Sequence, residues 1–327
     1  MILEIGKLPT HLLEQNILSK IQPQRKEILV GAGVGEDCSV IDFGEEICVL
    51  STDPITGAID SIGKLAIHIS CNDVASNGVE PLGILLTILA PENSNIEDIS
   101  QVLNDAKKIA RALNVEIIGG HTEVTTAVNR MVVSTTCIGK GKKRHMITSN
   151  GAKYGDDVIM TKWAGLEGTA ILARDKKREL EDVIDEEKLQ EAMNFMEDIS
   201  AVQEGILAGK VGVTAMHDVT EGGILGALWE LAEASQVGVE IQEEQIPLKK
   251  VTREICQHFR IDPLGLISSG VMVMTTNHTE KLLAKFKEKG LQATVIGKVI
   301  EGKSVIVRNG KKIPLQPPKS DELFKVI

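Results

Sequence analysis

Hydrophobic residues in the first third of the chain recur at a helical spacing that ends on a carboxylate. Ile62, Ala66, Ile69 and Asp73 lie three or four residues apart, so they share one face of a predicted helix. Gly78 then ends this helix. Because an isolated charge on a core-facing stripe is costly to desolvate, Asp73 must pair with a cation, accept several hydrogen bonds or bind a metal.

Apolar runs and helical stripes continue through the rest of the chain. The pattern predicts buried strands at 82–89, 115–118, 131–138, 157–161, 211–216 and 271–275, and amphipathic helices at 96–113 and 189–207. Between two of these strands, the segment 139–154 is rich in glycine, lysine and serine. Such a segment is typical of a domain boundary, so residues 1–148 are predicted to form one domain and residues 149–327 a second.

Two glycine-rich turns stand out. The first, at 31–36, runs into a strand, and its GxGxG pattern alone is weak because no helix follows it. The second lies after the strand at 211–216 and contains Gly222 and Gly223 at the start of a helix. A strand, a polar glycine turn and a helix N-terminus together predict a phosphate cradle.

Two further segments are candidates for ligand contacts. After the strand at 115–118, Gly120 allows close backbone approach to a ligand, while Thr122 and Glu123 supply oxygens. Lys7, in the N-terminal arm, could reach a phosphate, although a solvated lysine before a helix is the plainer interpretation.

Four acids, Asp37, Asp53, Asp73 and Asp218, stand at the ends of predicted elements. Magnesium prefers oxygen ligands and commonly shares one or two carboxylates with substrate phosphates. The four acids therefore predict a magnesium and phosphate site. Spacing alone leaves equally open the alternative that they are independent turn and cap residues.

Composition narrows the class of partner. The 327 residues carry a net charge of −10, and aromatic residues make up only 2%, which argues against nucleic acid or an anionic membrane as the main partner. The basic stretch 140–144 is predicted to be a solvated loop between strands. Five scattered cysteines without a CxxC pair, and the lack of a signal or spanning segment, predict a reduced cytoplasmic protein.

Several short motifs together resemble one enzyme family, the superfamily of aminoimidazole ribonucleotide synthetase. It also contains selenophosphate synthetase, thiamine-monophosphate kinase and the hydrogenase-maturation carbamoyl dehydratase. The motifs that carry the resemblance are Gly-Glu-Asp-Cys-Ser-Val-Ile at 35–41, Ser-Thr-Asp at 51–53, Asn-Asp-Val-Ala at 72–75, His-Asp-Val-Thr-Glu-Gly-Gly at 217–223 and Asp-Pro-Leu at 262–264. They occur in the family's order over most of the chain.

The resemblance implies an α/β (α+β) fold of two domains with mixed sheets covered by helices. It also implies a homodimer in which the N-terminal domains build a central β-barrel, with ATP between the domains. By position, Asp37, Asp53 and Asp73 would bind magnesium and phosphate, and Asp218 would act from the second domain. Asp73 and Asp218 would thus be the catalytic pair, with an unidentified small molecule as the acceptor.

Two departures qualify this expectation. The family often has an acid where His121 stands, so a metal ligand is missing there unless Glu123 replaces it. The hydrogenase-maturation branch, which the chain resembles most, ends in a Pro-Arg-Ile-Cys tail, whereas no cysteine follows Cys256 here. We therefore expect a related ATP-using synthetase or kinase rather than that dehydratase. The alternative is a nucleotide-binding regulatory or scaffold protein without turnover.

Overall fold

The computed structural model describes residues 8, 10–21, 23–56 and 61–327, and two mixed sheets organise this part of the chain. Its first half contains the strands β1 (Ile28–Val30), β2 (Cys38–Asp42), β3 (Glu46–Ile55), β4 (Glu80–Ala90), β5 (Glu116–Val124) and β6 (Val132–Lys142), and the helices α1 (Thr10–Asn16), α2 (Ile62–Ser76) and α3 (Ile96–Ala112). Lys7 lies outside the described residues, so its phosphate contact stays a prediction.

The first sheet has six strands in the order β1-β2-β3-β6-β4-β5. Neighbouring strands are antiparallel except β4 and β5, which run parallel because α3 connects them. Helix α2 packs on β3, β6 and α3. Leu82, Leu85 and Ile118 on β4 and β5 remain exposed. Within the described chain the sheet is open at both edges, so closure into a barrel with a second copy stays a prediction.

Local sequence explains the ends of the two helices on this sheet. A Cβ atom on Gly78 would lie 2.6 Å from the carbonyl oxygen of His145, and its φ of +76° also favours glycine, so α2 ends there as predicted. Helix α3 begins with a capping box, in which Asn95 and Asp98 each accept the other's backbone N–H.

The second half of the chain builds a seven-stranded sheet in the order β13-β12-β9-β11-β7-β10-β8. Its strands are β7 (Asp157–Thr161), β8 (Ala215–Val219), β9 (Gly238–Gln242), β10 (Val271–Thr276), β11 (Ala293–Ile300), β12 (Val305–Arg308) and β13 (Lys311–Pro314), and its helices are α4 (Leu166–Asp175), α5 (Lys177–Leu180), α6 (Glu186–Asn194), α7 (Val202–Val211), α8 (Gly223–Ser235), α9 (Lys250–Phe259) and α10 (Thr279–Glu288). The predicted architecture of mixed sheets covered by helices is confirmed.

Three local predictions were wrong. The single helix predicted over 189–207 is broken, because the chain forms a 3₁₀ turn at Phe195–Asp198 and is not helical at 199–201. The strand predicted over 211–216 begins only at Ala215, since α7 extends to Val211. The basic stretch 140–144 is not a loop, because Lys140–Lys142 complete β6 and pair with β3.

The two halves meet where α7 crosses α2. A Cβ atom on Gly205 would lie 2.3 Å from the carbonyl oxygen of Ala75, and one on Gly209 would lie 2.7 Å from the Cα atom of Gly78. These glycines therefore let the backbones of the two helices approach closely. The predicted boundary at residue 148 falls in the irregular segment between β6 and β7, and the division into two domains there stays a prediction.

No helix among the described residues is both long enough and apolar enough to cross a membrane.

Candidate functional site

Asp73 lies in the last turn of α2 and is only 2% exposed. The hydroxyl of Ser51, on β3, donates a hydrogen bond to Asp73 Oδ2 and lies 3.4 Å from Asp53 Oδ2. Ser51 therefore stands between two acids that the sequence analysis proposed as metal ligands. Ser51 was included in the Ser-Thr-Asp motif of the sequence, but only Asp53 was assigned a role there, because the contact with Asp73 joins residues that are 22 positions apart.

The acids around Asp73 influence its proton affinity. Burial raises the pKa of Asp73 well above its usual range, and the nearby charges of Asp218, Asp53 and Asp37 raise it further. These four carboxyl groups thus share one electrostatic environment, although they come from both halves of the chain. A divalent cation among them would remove much of their mutual repulsion.

Asp37, His217 and Asp218 form a tighter cluster next to Asp73. One ligand atom from each of the three lies within 4.8 Å of the others. Burial raises the pKa of Asp218 to about 7, with a further increase from the charge of Asp37 and a decrease from His217. Asp218 Oδ1 is buried and has no hydrogen-bond partner among the described residues. A buried oxygen left in this way fits a metal ligand.

His217 supplies a positive charge inside this cluster. Burial lowers its pKa, but Glu230, whose Oε2 lies 3.2 Å from His217 Nε2, and the charges of Asp37 and Asp218 together raise it to about 10. In the metal-free protein the ring is therefore mostly protonated at neutral pH, and a metal could bind it only by displacing a proton. The carboxylate oxygens of Asp37, Asp73 and Asp218 are the other possible ligands, and a set of oxygen ligands suits magnesium better than zinc.

Glu36 is a second residue that sequence reasoning left out of the site. Burial raises its pKa to about 7, His217 lowers it and Asp37 raises it. Its Oε1 atom is buried without a hydrogen-bond partner among the described residues. The available signal was its position beside Asp37 in the first glycine-rich turn.

The structure does not bring the β5 candidates next to Asp53 within one chain. Asp53 pairs with Thr135, which faces Leu86, which in turn pairs with Gly120, so Gly120 is three strands away from Asp53. At about 4.8 Å per strand, this separation is roughly 14 Å. A Cβ atom on Gly120 would lie 1.8 Å from the carbonyl oxygen of Leu86. Close packing of the two strands therefore explains why a glycine stands at this position.

Thr122 and Glu123 share the exposed edge strand with Gly120. Glu123 Oε2 lies 3.0 Å from His121 Nε2, and both side chains face solvent. The ligand roles of Gly120, Thr122 and Glu123 therefore stay predictions.

An internal carboxylate occupies the predicted phosphate cradle at the start of α8. Asp321 accepts hydrogen bonds from the backbone N–H groups of Gly222 at 2.7 Å, Leu323 at 2.8 Å and Ile267 at 3.2 Å. A Cβ atom on Gly223 would lie 2.5 Å from the carbonyl oxygen of Leu264, so packing also requires this glycine. A phosphate could bind the N–H group of Gly222 only if Asp321 moved away, and the roles of Gly222 and Gly223 in binding stay predictions.

Both halves of the chain match known protein domains. Residues 35–140 match the model of the AIR synthase related protein N-terminal domain, and residues 153–309 match that of the C-terminal domain. A putative hydrogenase expression/formation protein of Methanocaldococcus jannaschii is 29% identical and covers 95% of this chain and 94% of its own. The carbamoyl dehydratase HypE of Escherichia coli is 28% identical, with coverage of 84% and 81%.

A solved structure shows the same fold. ThiL in complex with AMPPCP and TMP superposes with a TM-score of 0.76 over 98% of this chain and 99% of the other, with 20% sequence identity. The two family models follow each other along the chain in the order N-terminal domain, then C-terminal domain. This chain therefore belongs to the AIR synthase-related family.

Proposed function

We propose that this protein is an ATP- and magnesium-dependent enzyme that activates or phosphorylates a small metabolite. The observation that carries the proposal is the meeting of Asp37 and Asp73 from the first half with Asp218 from the second half. The structure of a hydrogenase maturation protein HypE in complex with ATP, and the ThiL complex with AMPPCP, an ATP analogue, support the choice of ATP.

In this proposal Asp37, Asp73 and Asp218 bind magnesium. Asp53, whose Oδ2 atom lies 3.4 Å from the hydroxyl of Ser51, is a further ligand. When bound, magnesium neutralises the charge of the polyphosphate. The protein's own groups position the reactants. Ser51 orients the carboxyl group of Asp73 through its hydrogen bond, and the protonated His217 places a fixed positive charge beside the acids. Such a site works mainly by positioning and by stabilising charge.

We also propose a homodimer in which a second copy covers the exposed apolar residues of β4 and β5. Leu82, Leu85 and Ile118 support this, because single soluble chains seldom leave such neighbouring apolar side chains uncovered. Glu123 is proposed as a further magnesium ligand, and Gly120 and Thr122 as contacts to phosphate. Because these residues are three strands from Asp53, the ligand would have to extend across the sheet to reach them.

A second candidate is a nucleotide-binding regulatory or scaffold protein without turnover. The observation that favours it is His121, which stands where the family often has an acid and which contacts Glu123. Both candidates bind ATP, but only the enzyme converts it in the presence of the correct acceptor.

The test is to incubate the protein with ATP and magnesium across a panel of small metabolites and to measure ADP and phosphate. An enzyme should release ADP with at least one acceptor. ATP binding without turnover on the whole panel would favour the regulatory candidate, and failure to bind ATP at all would exclude both.

A matched pair of variants tests the placement of the site. Asp73→Asn should weaken the binding of magnesium and ATP by at least tenfold, because it removes a charged ligand. Asp182→Asn changes an exposed acid with no partner among the described residues, so it should bind like the native protein. Equal affinity for the two variants would rule out Asp73 as a ligand.

A further inference from the structure

Lys162 is a partly buried lysine with an unusual backbone conformation. It follows β7 with a φ of +50°, and its side chain is only 12% exposed. A left-handed conformation is unfavourable for a non-glycine residue, and an ammonium group with little exposure is costly unless it is well paired. The contacts of this side chain must therefore compensate for both costs.

The ammonium group of Lys162 makes three contacts, as many as it has donors. Nζ donates to the carbonyl oxygens of Ser200 at 2.5 Å and Gly270 at 2.8 Å, and it lies 3.1 Å from Glu204 Oε1. Glu204, on α7, has a side chain that is 3% exposed. One side chain thus joins α7, the loop at 199–201 and the loop before β10.

The loop at 199–201 binds α2 at Asn72, the residue before Asp73. Asn72 Nδ2 donates to the carbonyl oxygen of Ile199 at 2.8 Å, and the backbone N–H of Ala201 donates to Asn72 Oδ1 at 2.7 Å. Asn72 directly precedes Asp73 in the helix. The position of this loop therefore fixes the end of α2 that carries Asp73.

The second carbonyl contact leads toward Asp218. Gly270 immediately precedes β10, in which Met272 pairs with Asp218 on β8. A Cβ atom on Gly270 would lie 2.7 Å from the Cα atom of Ile199, so the two loops touch directly. Lys162 binds a carbonyl group in each loop, and one loop adjoins Asp73 while the other adjoins Asp218.

We infer that Lys162 is a positioning residue that sets the distance between Asp73 and Asp218 by fixing these two loops to each other. It makes no hydrogen bond with either acid. The inference rests on the proposed magnesium and ATP site, because it concerns the geometry of that site.

The test compares two variants. Lys162→Met combined with Glu204→Met removes all three contacts and leaves no buried charge unpaired, whereas Glu204→Gln alone keeps both carbonyl contacts of Lys162. We expect the double variant to bind Mn²⁺ and Mg²⁺ with ATP about tenfold more weakly than the native protein. Glu204→Gln should remain within twofold. The electron paramagnetic resonance spectrum of bound Mn²⁺ should change only in the double variant.

A readout that needs no ATP separates this inference from the proposed function. The backbone amide of Ala201 should exchange its hydrogen at least tenfold faster in the double variant, because the loop loses its anchor. If the native protein does not bind ATP, the proposed function fails, and the Mn²⁺ and exchange results still decide the role of Lys162.

Native affinity and a native Mn²⁺ spectrum in a folded double variant would overturn the inference, even if thermal stability fell. Native exchange at Ala201 would overturn it as well. If the methionine pair does not fold, Lys162→Met combined with Glu204→Gln serves for the same comparison, because it also removes the three contacts of the ammonium group and leaves no buried charge unpaired.

Discussion

Asp321 accepts a hydrogen bond at 2.7 Å from the backbone N–H of Gly222, the N-cap residue of α8. A carboxylate from the C-terminal segment therefore occupies the place where the glycine turn predicts a phosphate. Burial raises the pKa of Asp321 to about 6, while hydrogen bonds from three backbone N–H groups lower it. At neutral pH the group is still largely ionised and complements the positive end of the helix dipole.

Replacing Asp321 by alanine should destabilise the protein by about 2–4 kcal/mol, because three backbone N–H groups lose their acceptor. Unfolding in urea at pH 7.5 measures this loss. Inorganic phosphate should then raise the stability of Asp321→Ala more than that of the native protein, since the helix N-terminus is empty. The control, Asp182→Ala, should unfold like the native protein, and an equal phosphate effect in all three proteins would contradict the interpretation.

Asp73→Asn should make the metal-free protein more stable. Burial and the nearby Asp218, Asp53 and Asp37 raise the pKa of the native carboxyl group, so its ionisation is unfavourable in the folded protein and an amide removes that cost. We expect a gain of about 1–3 kcal/mol at pH 7.5. Thermal unfolding with and without magnesium checks this. Magnesium should raise the melting temperature of the native protein and leave that of the variant unchanged, and an equal rise in both would refute the assignment.

Glu167 should make stability depend on pH. Burial raises its pKa from 4.5 in the unfolded chain to about 7 in the folded one, so the folded state binds the proton more tightly. Its unfavourable contribution is therefore absent below pH 4.5, grows as the pH rises and is complete above about 7.

Glu167→Gln should therefore stabilise the protein by about 1–3 kcal/mol at pH 8 and have little effect at pH 4.5. Urea unfolding at the two pH values provides the measurement. Glu187→Gln, at an exposed position, should leave the pH dependence unchanged. A gain of the same size at both pH values would show that the charge of Glu167 is not responsible.

Gly205→Ala should disturb the crossing of α2 and α7. Its Cβ atom would lie 2.3 Å from the carbonyl oxygen of Ala75, so the helices must separate. We expect a loss of about 1–3 kcal/mol in urea unfolding and weaker binding of magnesium and ATP, because α2 carries Asp73. Gly33→Ala provides a comparison, since the nearest atom to its Cβ is 3.7 Å away. Equal stability of the two variants would show that the crossing adapts easily.

The sequence pattern predicted α2 and the burial of Asp73 because apolar residues with a helical period identify a buried face directly. It could not identify the contact of Ser51 with Asp73 or that of His217 with Asp37. Those contacts arise when β3 and β8 pack around α2, and they depend on residues far apart in the chain. The hydrophobic pattern within one segment contains no information on how distant segments pack together.

The break between α6 and α7 shows a different limit. The apolar stripe from Leu189 to Leu207 continues through the break, so periodicity alone predicts one helix. In the structure, the hydrogen bonds of Asn72 with Ile199 and Ala201 favour a non-helical loop. Tertiary contacts here outweigh local propensity. The strand order that separates β5 from β3 is likewise set by long-range pairing.

Helix α2 has consequences for how the protein is made. Thirteen of its 15 residues are buried, and part of that cover is α7 from the second half. Before α7 has left the ribosome, the apolar surface of α2 that faces it has no native partner. The apolar surface of the newly made first half can therefore form non-native contacts during synthesis. It is covered only when the second half folds against it.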